Sequence, residues 1–412
     1  MNTFTIITAL ITISALISYI NNRFIKLPGT IGVIVVSLLL SLLILFTGKI
    51  FPDAYAFIKE LTSSIDFTQT LLDIMLGFLL FASALQFDFQ KLKEQRYPVL
   101  VLSTVGVIGS TFIFGYLLYW ATGMLNVELP LLYCLLFGAL ISPTDPVAVM
   151  SVLKKSKVPS SLETIIGGES LLNDGTGILL FVILKELAAS ADAHVSFSHT
   201  VALFSQEVFG GILLGVISGL VAYRTMKRVD DFQIIVMVSL SMVMVISVTG
   251  AMLHVSIPLA AVSAGLILGN TSLGTKQSED MQRYFHNVWH LIDELLNTIL
   301  FVMIGLQIVL MPFLKNYWLT GLFAVAFVLV ARALSIYLPS LLLKKSLKTT
   351  YKGITILVWA GLRGGISVAL AMSLPESPYK EIILSGSYFV VLFSIIVQGL
   401  TLKRVVNRMV AA

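Results

Sequence analysis

The chain alternates long apolar runs with short polar connectors, and runs of about 20 residues, enough to span a bilayer, recur along its whole length. Thirteen segments can be placed, roughly at 3–20, 30–48, 69–86, 97–120, 130–150, 162–186, 199–224, 232–253, 256–270, 290–311, 316–343, 351–374 and 381–403. Residues 1–20 lack a basic start and a small-residue cleavage site, so they read as a retained first helix. The pattern predicts an all-α integral membrane protein.

Composition agrees: of 412 residues, 57% are hydrophobic and 12% charged. Gaps between segments reach only about twenty residues, which leaves no room for a soluble domain. No nucleotide-binding module fits and no Gly-x-x-x-x-Gly-Lys loop occurs, so an ion gradient, not ATP hydrolysis on this chain, must supply energy. No cofactor is implied. The net charge of +5 comes from basic residues scattered over short loops, which argues against nucleic acid as a partner. The single cysteine, Cys134, lies in an apolar run and reads as packing.

An odd number of spans puts the termini on opposite faces. With Lys403, Arg404 and Arg408 in the cytoplasm, twenty Lys and Arg fall on cytoplasmic segments and five outside, while Arg332 and Arg363 lie within spans. The expectation is a multi-pass protein of the plasma or inner membrane, N-terminus outside and C-terminus cytoplasmic.

Charges at bilayer depth are costly and mark function by default. In the fifth span, Pro143 and Pro146 remove two amide donors on either side of Thr144 and Asp145, so the helix should break there. Prolines alone would mean a kink; an aspartate between them points to a site at unwound backbone. The twelfth span carries Gly361-Leu362-Arg363-Gly364-Gly365, a second interruption around a charge. Glycine spacing explains close packing but not the arginine. Two interrupted spans in corresponding halves point to inverted repeats and two broken, crossing helices, with Asp145 and Arg363 offsetting unlike helix ends.

In the sixth span Glu169 and Asn173 share one face, Ser170 and Asp174 a neighbouring one. Arg332 is the deep cation left for Glu169, and the two are expected to form a structural ion pair. Asp174 is then unpaired, and desolvation penalises its charged form, which poises it to take a proton or a cation. Asp174-Gly175-Thr176-Gly177 also resembles an aspartic-protease string, but that chemistry needs a second carboxylate in a partner motif. A cation channel is the other rival, and it needs rings of ligands where this chain offers one asymmetric site.

With Ser142-Pro143-Thr144-Asp145-Pro146-Val147, Glu169-Ser170-Leu171-Leu172-Asn173-Asp174 and Gly361-Leu362-Arg363-Gly364-Gly365 in place, the chain resembles bacterial sodium/proton antiporters. The resemblance is to the NhaP-like branch of the monovalent cation:proton antiporter superfamily, related to animal sodium/proton exchangers. It implies a homodimer, with a dimerisation part at approximately 1–90 and 199–311 and a mobile ion-binding core at approximately 97–186 and 316–405. It also implies that Asp174 carries the ion or proton, that sodium is held at Asp174, Ser170 and Thr144, and that Asn173 and Asp145 order the site. Relatives often carry glutamate at the position of Gln86, which leaves sodium, lithium and potassium all as candidate cations.

Charge then dictates mechanism. Loaded with a proton or a sodium ion, the Asp174 site has the same net charge. The empty carboxylate, facing an unreturned penalty of about 3 to 4 kcal/mol, crosses roughly several hundredfold less often. One titrating carboxylate predicts one-for-one, electroneutral exchange. Asp293 and Glu294 are expected to begin the tenth span, where they would serve an acidic funnel or a helix N-terminus equally well. Asp73 reads as solvated, and His286 and His290 as interfacial.

Overall fold

A backbone in lipid must satisfy its polar groups internally, so apolar segments of this length become helices. The computed structural model describes residues 2–48, 50–124, 129–145, 149–150, 153, 158–189, 197–271, 279–311, 317–342 and 351–411. The described elements are helices: α1 Thr3–Ile25, α2 Gly29–Thr47, α3 Pro52–Ser63, α4 Phe67–Leu85, α5 Phe89–Glu94, α6 Arg96–Met124, α7 Leu131–Ile141 and α8 Ser160–Ala189. They continue as α9 Phe197–Met226, α10 Phe232–Leu253, α11 Ile257–Asn270, α12 Glu279–Gln307, α13 Trp318–Leu342, α14 Tyr351–Trp359, α15 Gly365–Met372 and α16 Lys380–Met409.

Among the described residues nine helices are long and apolar enough to cross a membrane, and α7 and α11 are shorter apolar helices. Two further helices, α3 and α5, lie in connectors that the hydropathy pattern leaves empty. Pro52 starts α3, where its missing amide proton costs nothing, and the helix buries only Ile58, Leu61 and Thr62. The expectation that Asp293 and Glu294 begin a helix is overturned. Helix α12 starts at Glu279, because Phe285 and Trp289 are buried against α4 and α10 and extend the packed face below the apolar run. A helix-terminus role for these two acids is thereby excluded.

Three apolar clusters organise the bundle. The largest joins α1, α2, α3, α4, α6, α7, α8, α12, α13, α15 and α16; the second gathers parts of α4, α8, α9, α10 and α11 around Trp289; the third ties α5, α6, α8, α13, α14 and α16 together. Helices α9 and α11 approach closely because Gly211, Gly215 and Gly219 of α9 face Ser256, the N-cap of α11, and Ala260 and Ala264 within it. Helix α12 packs on both α2 and α4 and touches α15, so it runs between the clusters.

Candidate functional site

The polar residues meet where two helices stop. Helix α7 ends at Ile141, and beyond Ser142 the chain is unwound through Pro143, Thr144 and Asp145. Pro146 and Val147, which complete the sequence motif, lie outside the described residues. Helix α14 ends at Trp359 and α15 begins at Gly365, with non-helical backbone between. The two breaks cross and are tied directly: the Asp145 amide donates to the Leu362 carbonyl at 2.7 Å.

Arg363, 1% exposed, resolves the electrostatics of this crossing. One guanidinium nitrogen donates to the carbonyls of Ser142 and, at 2.9 Å, Pro143, the acceptors left over at the C-terminal end of α7. A cation is thus set against the negative end of a half-helix. Its own amide donates to Ser394 Oγ at 2.8 Å, and that hydroxyl donates to Gln398 Oε1 at 2.8 Å. Asp145 stands against the other half-helix: a Cβ at Gly364, the N-cap of α15, would lie 2.6 Å from Asp145 Oδ2. The carboxylate therefore sits at a positive helix end, and only glycine leaves it room.

Helix α8 supplies the third wall. Asn173 Oδ1 accepts from the Thr144 amide at 3.3 Å, and its Nδ2 donates to Thr144 Oγ1 at 2.7 Å. Thr144 Oγ1 also shares a 2.8 Å hydrogen bond with Ser170 Oγ. The unwound segment is thus clamped by a side chain that reads its backbone and its hydroxyl together. Close approach of α8 rests on Gly177, where a Cβ would overlap the Pro143 ring. One turn before Asn173 on the same helix, Glu169 accepts from both terminal nitrogens of Arg332, at 2.9 Å for the second, and Arg332 also donates to the Leu357 carbonyl at 3.3 Å.

Asp174 is 3% exposed and, among the described residues, makes no hydrogen bond or ion pair. It shares a small cavity of about 40 Å³ with Thr144, Asp145, Ser83, Asn297 and Ser367. Ser170 and Asn173 do not line that cavity; they stand behind Thr144 and hold it. A vestibule of about 940 Å³ lies beside it, with Lys26, Gln86, Lys91, Glu163, Asp293 and Glu294 on its walls. Lys26, Gln86, Lys91 and Glu163 come from connectors or helix ends, whereas Asp293 and Glu294 come from the middle of α12. His290 lines the vestibule, whereas Asp73 is exposed elsewhere on α4. The pattern reading missed Ser83, Asn297, Ser394 and Gln398. A signal existed for three of them, since Asp293 with Asn297 and Ser394 with Gln398 are i, i+4 polar pairs on membrane helices.

An acidic pocket at crossed, interrupted helices, beside a polar-lined vestibule in an apolar bundle, is the construction of secondary transporters. Comparison with known proteins gives the particular family. The profile described as "Sodium/hydrogen exchanger, transmembrane" matches residues 11–408, and the chain belongs to that family. It is 41% identical to the Na(+)/H(+) antiporter NhaP of Pseudomonas aeruginosa, over 98% of this chain and 97% of that one. It is 31% identical to the Na(+)/H(+) antiporter NhaH of Halobacillus aidingensis, over 94% of this chain and 93% of the relative. In three dimensions it is similar to the sodium proton antiporter MjNhaP1 from Methanocaldococcus jannaschii, with a TM-score of 0.76 across all of both chains at 20% identity, a likeness of fold.

Proposed function

We propose that this chain exchanges sodium for protons across the bilayer, one for one, by alternating access of the Asp174 site. The observation that carries the reading is Asp174 itself, a buried carboxylate without a hydrogen-bond or ion-pair partner among the described residues, beside Asp145 and Thr144 in a cavity next to a polar-lined vestibule. Its similarity to the Na(+)/H(+) antiporters NhaP and NhaH supports sodium and protons as the exchanged ions.

Sodium bound at Asp174 and the Thr144 segment, with Ser170 and Asn173 fixing that segment, would neutralise the carboxylate as a proton does. Both loaded forms carry equal charge, and the empty form is held back by the desolvation of its carboxylate. Coupling then needs no separate gate. The crossing, α8 and the Glu169–Arg332 pair move as one core against α4 and α12 in this reading, and the protein works as a homodimer. By the distribution of Lys and Arg, the vestibule faces the cytoplasm.

The test is a cation series in proteoliposomes holding a pH dye, with sodium, lithium and potassium at several pH values. Saturable proton flux driven by sodium or lithium is expected. Flux driven equally by potassium would redefine the cargo, and unsaturable flux would mean a channel. Asp174→Asn should give folded protein with no sodium-dependent proton flux, and substantial residual exchange would end the carrier assignment.

A further inference from the structure

Ser83 of α4 and Asn297 of α12 line both the 940 Å³ vestibule and the 40 Å³ cavity that holds Asp174. A cation moving between the two spaces passes these side chains. Asn297 is 2% exposed, and its orientation is fixed by chemistry: Nδ2 donates to Asp293 Oδ1 and to the Asp293 carbonyl, both at 2.9 Å. Both partners are pure acceptors, so the NH₂ must face them and the amide carbonyl oxygen must point away. Ser83 adds a second oxygen. Most buried helical hydroxyls here fold back on the preceding turn, as those of Ser37, Thr111 and Ser142 do, but among the described residues the Ser83 hydroxyl makes no hydrogen bond.

We propose that Ser83 and Asn297 form the inner doorway for a monovalent cation, their two oxygens replacing water as it leaves the vestibule. Asp293 is a positioning residue that turns the Asn297 carbonyl into the passage. The inference rests on exchange at Asp174 and adds to it a separate place where entry is controlled. It also assigns a role to two helices that contribute no residue to the crossing. Losing one oxygen from a partly dehydrated cation should slow entry without altering the site beyond, so the effect belongs in KM and not in saturated turnover.

The experiment uses the full chain in proteoliposomes, with sodium affinity measured separately by sodium-dependent thermal stabilisation. Asn297→Leu is expected to raise the apparent sodium KM about tenfold, the scale of one hydrogen-bond-strength contact to a charge, with turnover at saturation kept and equilibrium sodium affinity within about twofold of wild type. Ser83→Ala, on a different helix, should act in the same direction, and Ser83→Thr, which keeps the hydroxyl, should not. Asp293→Leu, which removes the side-chain acceptor, should also raise KM, equally in low and high choline chloride, because turning an amide is not screened by salt. An Asp293 effect confined to low salt would reduce it to a distant attractor and overturn the positioning role.

Wild-type kinetics in both Asn297→Leu and Ser83→Ala would overturn the doorway while leaving exchange at Asp174 intact. Equilibrium affinity falling in step with the rate would overturn it too, by making these residues part of the binding site. Absence of sodium-driven flux in the wild type, or its survival in Asp174→Asn, would remove the underlying exchange reading and the doorway with it.

Discussion

Glu169 is 1% exposed in an apolar bundle, and a planar cation meets both of its oxygens. Removing one partner leaves the other as an uncompensated buried charge, at a cost of about 3 to 5 kcal/mol. Arg332→Ala should therefore lower folded yield and melting temperature, while Arg332→Met with Glu169→Gln should recover much of the loss. Unchanged yield and melting in the single variant would mean that the pair contributes nothing to folding. This contact was legible in the sequence because only two basic residues, Arg332 and Arg363, fall deep inside spans, the others lying at span ends or in connectors. The partners of Arg363 were legible only as a helix end. That its nitrogen would reach the Ser142 and Pro143 carbonyls depends on how two breaks cross, which hydropathy does not encode.

At the scale of elements, the apolar segments were readable because a lipid-facing helix tolerates so few polar positions. Helices α3 and α5 were not, since short connector helices carry no long apolar run. The lower part of α12 was hidden for a different reason: Arg283, His286 and His290 alternate with the buried Phe285 and Trp289, so mean hydropathy falls while one face stays packed. Close approach of α8 to the unwound segment also escapes pattern reading, although the glycine that permits it is visible. Gly177→Val would drive a side chain into the Pro143 ring. Overpacking of this kind costs roughly 1 to 3 kcal/mol. The expected outcome is a lower melting temperature together with sodium-driven exchange reduced at least about tenfold, because α8 can no longer hold Thr144. Normal exchange in this variant would show that the α8 contact tolerates displacement.

For the whole molecule, the vestibule was the least legible feature, since its wall is assembled from α1, α2, α4, α5, α8 and α12 and exists only once they pack. What the sequence does carry is the charge count of the site. If a single carboxylate trades one sodium for one proton, exchange rates in proteoliposomes should not change when a potassium diffusion potential is imposed through valinomycin, and a clear dependence would refute electroneutrality. The crossing has a further consequence, for biogenesis. Arg363 and the Ser142 carbonyl it satisfies stand 221 residues apart in the chain. When the fifth segment enters the bilayer during synthesis, the partners of its exposed carbonyls have not yet been made. The segment must wait in the membrane with unsatisfied backbone until nearly the last helix arrives, so the assembly line for this protein has its most fragile stage between those two events.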